Sequence, residues 1–261
     1  MPSEPIIELH KVTISKGDSK ILKDVTLQIG RGERVVILGP NGSGKSSLIK
    51  TFTGEYWHDT TDERSYVKIM GSEFWDIHEV RKAFGSVSSD VQVDFRRDID
   101  GLEAVLSGFF GSLGTNRSQT VTGEMNRKAR DALASVGSER LAHRSVSVMS
   151  SGEARRVIMA RALVNEPEAL ILDEPMNGLD LTGKHMVREA MRTLVGRGKA
   201  LVLVTQDPSD IIPEIDRVIM VKNGRIFLDD GIDALNEKNL TSLFKVPVRL
   251  EHKDGRWWAW S

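Results

Sequence analysis

A chain of 261 residues exceeds one minimal module and suits either an elaborated α/β domain or a core carrying one inserted subdomain. Its 36 Lys and Arg against 37 Asp and Glu leave a net charge of −1, so no whole-chain positive field recruits nucleic acid and no acidic bias repels it. A charged fraction of 28% and a hydrophobic fraction of 39% read as an ordinary globular chain, and the lack of cysteine excludes disulfides and thiolate metal sites and fits a reducing cytosol.

The opening MPSEPIIELH has no basic leader before an apolar run, which predicts no secretory signal. Residues 6–15 and 21–29 are rich in β-formers, with alternation at Val25, Leu27 and Ile29. Residues 34–38 (RVVIL) form a continuous apolar run of the kind a buried parallel strand needs. A glycine-rich loop follows at residues 39–44. Residues 45–53 then read as a helix with Leu48, Ile49 and Phe52 on one face. Short strands are predicted at residues 67–70 and 84–87.

From about residue 101 to 163 strand character gives way to helix-length patterns at residues 102–110, 124–136 and 152–163, with a loop at 111–122. Strands return at residues 169–172, 200–204 and 218–221. An amphipathic helix carrying Met186, Val187, Ala190, Met191 and Leu194 lies between the first two. The run at 200–204 is strand-sized, far short of the ~20 residues that cross a bilayer. Strand–helix alternation implies right-handed crossovers and a largely parallel sheet. At the C-terminal end, Val246, Val248 and Leu250 alternate, Asp254-Gly255 suits a tight turn, and Trp257, Trp258 and Trp260 return. These tryptophans form either a partner-docking patch or, as the favoured reading, part of a strand pair packed on the core.

Gly39-Pro40-Asn41-Gly42-Ser43-Gly44-Lys45-Ser46 satisfies G-x-x-x-x-G-K-[ST], between a buried strand and a helix. The glycines let backbone N–H groups curl around phosphate oxygens, and the helix N-terminus adds positive dipole density. Lys45 is expected to reach the β- and γ-phosphates of a nucleoside triphosphate, Ser46 to ligate magnesium, and Ser47 to extend the phosphate-binding run. The competing reading is a glycine-rich turn without a ligand. In residues 169–174 (ALILDE) an apolar strand ends in two acids; Asp173 is expected to face the magnesium shell and Glu174 to polarise a water for in-line attack. Its competitor is a solvated strand end. Val148-Met149-Ser150-Ser151-Gly152-Glu153 makes a second anion-binding helix terminus, or a plain capping box of Ser150 with Glu153, and the two are compatible.

Taken in order, these motifs resemble the ATP-binding-cassette (ABC) ATPases over residues 6–229. Met149 to Glu153 looks like a variant of the family's LSGGQ signature, and Asn177-Gly178-Leu179-Asp180 resembles its D-loop. No guanine-recognising Asn-Lys-x-Asp occurs. The resemblance implies a P-loop core with a mostly parallel sheet, an N-terminal antiparallel β subdomain and a helical subdomain inserted at about 90–165. The cassette would occupy residues 1–245 and a β-hairpin extension residues 246–261. It further implies ATP and Mg2+ as cofactors and a head-to-tail dimer. In that dimer Ser150 and Gly152 contact the γ-phosphate held by the partner's loop, and Asp180 joins the nucleotide site.

Three positions depart from the family. Its base-stacking aromatic is replaced by Lys16, with Ile14 the nearest apolar residue. Its magnesium-sensing glutamine falls on Ser89 or, as favoured here, on Gln92. The histidine that bonds the γ-phosphate is Gln206, whose amide donates a hydrogen bond but relays no proton, so slow ATP hydrolysis is expected. None of the six histidines clusters with acids, and His143 and His185 read as surface residues. Arg96-Arg97 and Arg155-Arg156 read as solvated faces or salt bridges in preference to nucleic-acid contacts.

By family base rate the expected role is the nucleotide-binding subunit of a transporter. It would sit in the cytoplasm, peripheral to the membrane through a separate permease, with no direct nucleic-acid partner. The segment LSGFFGSLG resembles molybdate or iron-chelate cassettes. The alternatives are a soluble cassette acting on a regulatory or nucleic-acid partner, and a module that binds ATP as a switch.

Overall fold

Alternating apolar residues give the first strands their buried face. In β1 (Ile7–Lys16), Ile7 and Leu9 point inward, and beyond a bulge the inward positions become Val12 and Ile14. The phase changes because Lys11 adopts φ +51°, inserting an extra residue against β2 (Ser19–Ile29), so that Leu9 pairs Leu27 but Val12 pairs Val25. With β4 (Tyr66–Ile69) on its other side, β1 centres a three-stranded antiparallel sheet. The structure, a computed structural model, describes residues 5–59, 64–88, 99–112, 114, 115 and 118–261.

The chain divides into two compact units, Met1–Val80 with Ala200–Ser261, and Arg81–Lys199. In the first, β3 (Arg34–Leu38) runs parallel to β7 (Ala200–Thr205) on one side and β8 (Arg217–Lys222) on the other, and β9 (Arg225–Gly231) is antiparallel to β8. Val35 to Leu38 and all of β7 are buried, as strands covered on both faces require. Helix α1 (Lys45–Phe52) follows β3, and α2 (Ile77–Ala83) spans the junction with the second unit. Helix α7 (Glu237–Phe244) begins on an Asn236 cap and ends on Lys245 at φ +62°.

The C-terminal hairpin pairs β10 (Arg249–Lys253) with β11 (Arg256–Trp260) through Asp254 at φ +50° and Gly255 at φ +70°, the two positive values a type I′ turn requires. A Cβ on Gly255 would lie 2.9 Å from Pro213, so the turn packs on that exposed residue and not on the core, and Leu250 N–H donates to Glu237. Trp257 stacks on His252, while Trp258 and Trp260 face outward at 40% and 53% exposure. The hairpin is thus seated through its turn and one face, leaving two tryptophans in solvent.

In the second unit β5 (Phe84–Val87) pairs in parallel with β6 (Ala169–Asp173). Around them are α3 (Gly101–Leu106), α4 (Gly123–Ser135), α5 (Ser151–Leu163) and α6 (Leu181–Gly196). Residues 102–110, expected as one helix, tighten to a 3₁₀ turn at Ser107–Phe110 and stop at Gly111, φ +63°. This turn is closely packed: a Cβ on Gly108 would sit 2.5 Å from the Arg161 carbonyl. The expectation that Arg155 and Arg156 lie on a solvated face or in salt bridges is overturned as regards exposure. Both are buried, because α5 is covered on nearly every side. His143 and His185 are exposed as expected.

Candidate functional site

The loop at residues 39–46 leaves the buried end of β3, a strand paired on both sides. At Gly39 a Cβ would come within 2.4 Å of the Val221 carbonyl, and Gly44 at φ +109° would bring one to 3.1 Å from the Ile21 carbonyl. Only glycine fits both places. Ser43 N–H donates to the Pro40 carbonyl, and Gly224 N–H donates to Ser43, tying the loop to the β8–β9 turn. Asn41 and Gly42 form the exposed tip, with Gly42 at φ +74°.

Lys45 is buried and its Nζ donates to the carbonyls of Gly39 at 2.8 Å and Pro40 at 3.2 Å, which holds the ammonium across the loop. The opening of α1 is what suits an anion. Among the described helices of eight or more residues, the other four begin on a side-chain cap from Thr122, Ser150, Asp180 or Asn236. Helix α1 instead begins on Gly44, with no side-chain cap and no acid in its first turn. No side-chain oxygen of its own N-cap therefore stands at the helix start, where an anion such as phosphate is favoured. Ser46 and Ser47 are the next residues of that turn, Ser46 exposed.

Gln206 leaves the end of β7 beside the loop, because Leu38 pairs with Thr205. Its turn is pinned by Thr205 Oγ1, which donates to Asp210 at 2.6 Å and accepts from Asp207 N–H at 3.0 Å. Lys16 is exposed at the end of β1. Ile14, its nearest apolar neighbour, is buried against Leu22 and offers no face to a base.

In the second unit Asp173 is the last residue of β6, one beyond the Val87–Leu172 pair. Glu174 follows at φ +47°, a conformation that costs a residue with a Cβ about 1–3 kcal/mol and accumulates at functional positions. Its Oε2 accepts from Asn177 Nδ2 at 3.2 Å. Gln92 and Ser89, proposed for the magnesium-sensing position, lie outside the described residues, as do Arg96 and Arg97. Among the described residues no three or more His, Cys, Asp or Glu converge as a metal cluster. A magnesium ion that arrives with phosphate oxygens needs no such cluster, since one hydroxyl or one carboxylate per segment suits it; Ser46 is a hydroxyl of the first unit and Asp173 a carboxylate of the second.

Ser150 caps α5 in a complete box. Its hydroxyl accepts from Glu153 N–H at 3.3 Å, and its own N–H donates to Glu153 Oε2 at 3.0 Å. Burial pushes the Glu153 carboxyl up, but the Ser150 N–H, Arg144, the Ser150 hydroxyl and Arg140 outweigh it and hold the group below the ordinary carboxylate value. Gly152 is buried against α6, where a Cβ would meet the Gly183 Cα at 3.0 Å. Asp180 caps α6 by accepting from Gly183 N–H at 2.7 Å. The two helix starts therefore touch glycine to glycine, which brings the Ser150 and Asp180 segments together. Sequence reasoning missed Arg140, Arg144 and Gly183, which belong to no local motif.

Residues 22–177 match the ABC transporter family. The uncharacterized ABC transporter ATP-binding protein YmeB of Lactococcus lactis is 29% identical to this chain, over 97% of the chain and 98% of that protein. Among solved structures, cbiO1 from Clostridium perfringens, part of the ABC transporter complex cbiONQ, is similar with a TM-score of 0.75 at 25% identity, covering 93% of this chain and 92% of that one. The ATP-binding cassette MJ0796 in a dimeric post-hydrolysis state bound to ADP and Pi gives a TM-score of 0.69 at 27% identity, over 87% of this chain and 98% of that one.

Proposed function

This chain belongs to the ABC transporter family and is an ATPase, and from that premise we propose that it works as an ATP- and magnesium-dependent dimer that energises a separate membrane permease. The single observation that carries the reading is the uncapped start of α1 behind Lys45, in a chain whose other long described helices cap themselves. Similarity to a cassette solved as a dimer supports assembly, and similarity to a component of a transporter complex supports a permease partner. Among the described residues no helix is long and apolar enough to cross a membrane, so the permease reading places this chain at the membrane through another protein.

The amides from Gly42 to Ser47 and the Lys45 ammonium bind the β- and γ-phosphates. Magnesium, for which the family resemblance assigns Ser46 and Asp173 as the residues that would hold it, would neutralise charge on those phosphates. Glu174 accepts a proton from water as its oxygen bonds to the γ-phosphorus and the bond to the β-phosphate oxygen breaks, releasing ADP. Gln206 donates an amide N–H to the γ-phosphate but relays no proton, which slows turnover. Ser150 and Gly152 complete the site from a second copy.

The test is sedimentation of Glu174→Gln with MgATP. A shift from monomer to dimer on nucleotide addition is expected. A variant that stays monomeric while saturated with a fluorescent ATP analogue refutes the dimer.

A further inference from the structure

We propose that Arg144, with Arg140 beside it, is a positioning residue that makes an acidic signature receptive to a phosphate brought by a second copy. The inference rests on the dimer reading above and adds how this sequence meets a problem that reading raises. The start of α5 carries a carboxylate at its third position, Glu153, whose charge opposes any anion approaching the amides of Ser151 and Gly152. The capping box explains why an acid is there but does not remove its charge.

Arg144 removes it. Its Nη1 lies 3.0 and 3.1 Å from the two oxygens of Glu153, and its Nη2 donates to the Val148 carbonyl at 3.0 Å. One guanidinium thus neutralises the acid and ties down the turn that leads into Ser150, a double task for which the planar fork is suited and a lysine is not. Arg140 Nη2 adds a second cation at 3.4 Å.

The surroundings favour an anion too. A cavity of about 600 Å³ opens at this helix start, and Arg140, Arg144, Ser150, Gly152 and Asp180 are among its lining. Arg156 lines it as well, 1% exposed, with Nη2 lacking a hydrogen-bond partner while its other nitrogens bond Ser138 Oγ and Met186 Sδ. Three arginines therefore face two acids, Glu153 and Asp180, and Asp180 already spends Oδ1 on its own helix. Without Arg140 and Arg144 the same lining would be net acidic.

The experiment uses the full chain in the Glu174→Gln background, reading the MgATP concentration for half-maximal dimer by sedimentation and nucleotide binding to the monomer by fluorescence. Arg144→Gln is expected to raise the half-maximal concentration about tenfold without changing monomer binding. Combining it with Glu153→Gln removes the uncompensated charge and is expected to restore assembly to within about threefold. Glu153→Gln alone should assemble at least as readily as the parent, and it serves if Arg144→Gln fails to fold. The proposal is overturned if Arg144→Gln assembles like the parent, if the double variant is no better than the single, or if Glu153→Gln alone impairs assembly as severely. A parent that never dimerises refutes the dimer reading itself, an outcome distinct from these three.

Discussion

Replacing Gly152 by alanine sets two effects of opposite sign against each other. Alanine favours helix over glycine by up to ~1 kcal/mol and restricts the unfolded chain. Against that, the new Cβ would stand 3.0 Å from the Gly183 Cα, and that neighbour is backbone at the start of α6, which cannot swing aside. The two helices must separate by roughly half an ångström or more to reach ordinary contact, and overpacking of this kind costs ~1–3 kcal/mol. The net expectation is a loss of about 1–2 kcal/mol, or a fall in Tm of about 2–8 °C for a chain of this size. Gly196→Ala is the internal control: it lies in the last turn of the same α6 with nothing beyond its own stretch of helix within 4 Å of its Cβ, so the same chemical change should stabilise or leave stability unchanged. Thermal and urea unfolding of both variants measure the pair. Because the displaced element carries Ser150, Gly152→Ala should also depress ATP turnover while ATP binding to the monomer persists. Equal and opposite-to-expected behaviour, with Gly152→Ala as stable as Gly196→Ala, would falsify the claim that a glycine–glycine contact joins the two segments.

Thr205→Val removes the hydroxyl that donates to buried Asp210 and accepts from Asp207 N–H, and a loss of about 1.5–3 kcal/mol in urea unfolding is expected. Gln206→His should raise ATP turnover and Gln206→Ala lower it; steady-state rates with phosphate detection decide, and an alanine variant as fast as wild type refutes a phosphate role. The folded-state pKa of Glu153 is depressed, so its contribution to stability is present above its ordinary value of 4.5 and is lost as pH falls below that through the lowered folded value. The stability gap between wild type and Glu153→Gln should accordingly narrow from pH 5 downward in chemical unfolding, and a gap independent of pH contradicts the ion pairing.

Much of the fold was legible because its causes are local. Residues 84–87 were expected as a strand and are one, and residues 124–136 as a helix and are so within one residue. Strand β9, α2 and α7 were missed. β9 is mostly exposed and its apolar run is only three residues, Ile226 to Leu228, so its backbone bonds to β8 hold it where the side-chain pattern is too short to announce it. Helices α2 and α7 are seven and eight residues long, too short for a periodic signal to stand out. Ile14 illustrates a different failure. The bulge at Lys11 decides which face of β1 turns inward, and a one-residue insertion is invisible in a pattern read as simple alternation.

By itself the sequence determined the glycine-rich loop at residues 39–46, the strand ending in Asp173-Glu174 and the capped start of α5. Each is written in contiguous residues, since a glycine needed for positive φ, a cap or a strand terminus acts over a few positions along the chain. Only the tertiary structure decided that Arg155 and Arg156 are buried, that Gly152 meets Gly183, and that Arg144 clamps Glu153. Those facts join residues of different segments, and their energies come from distance and desolvation in three dimensions, which no local spacing encodes.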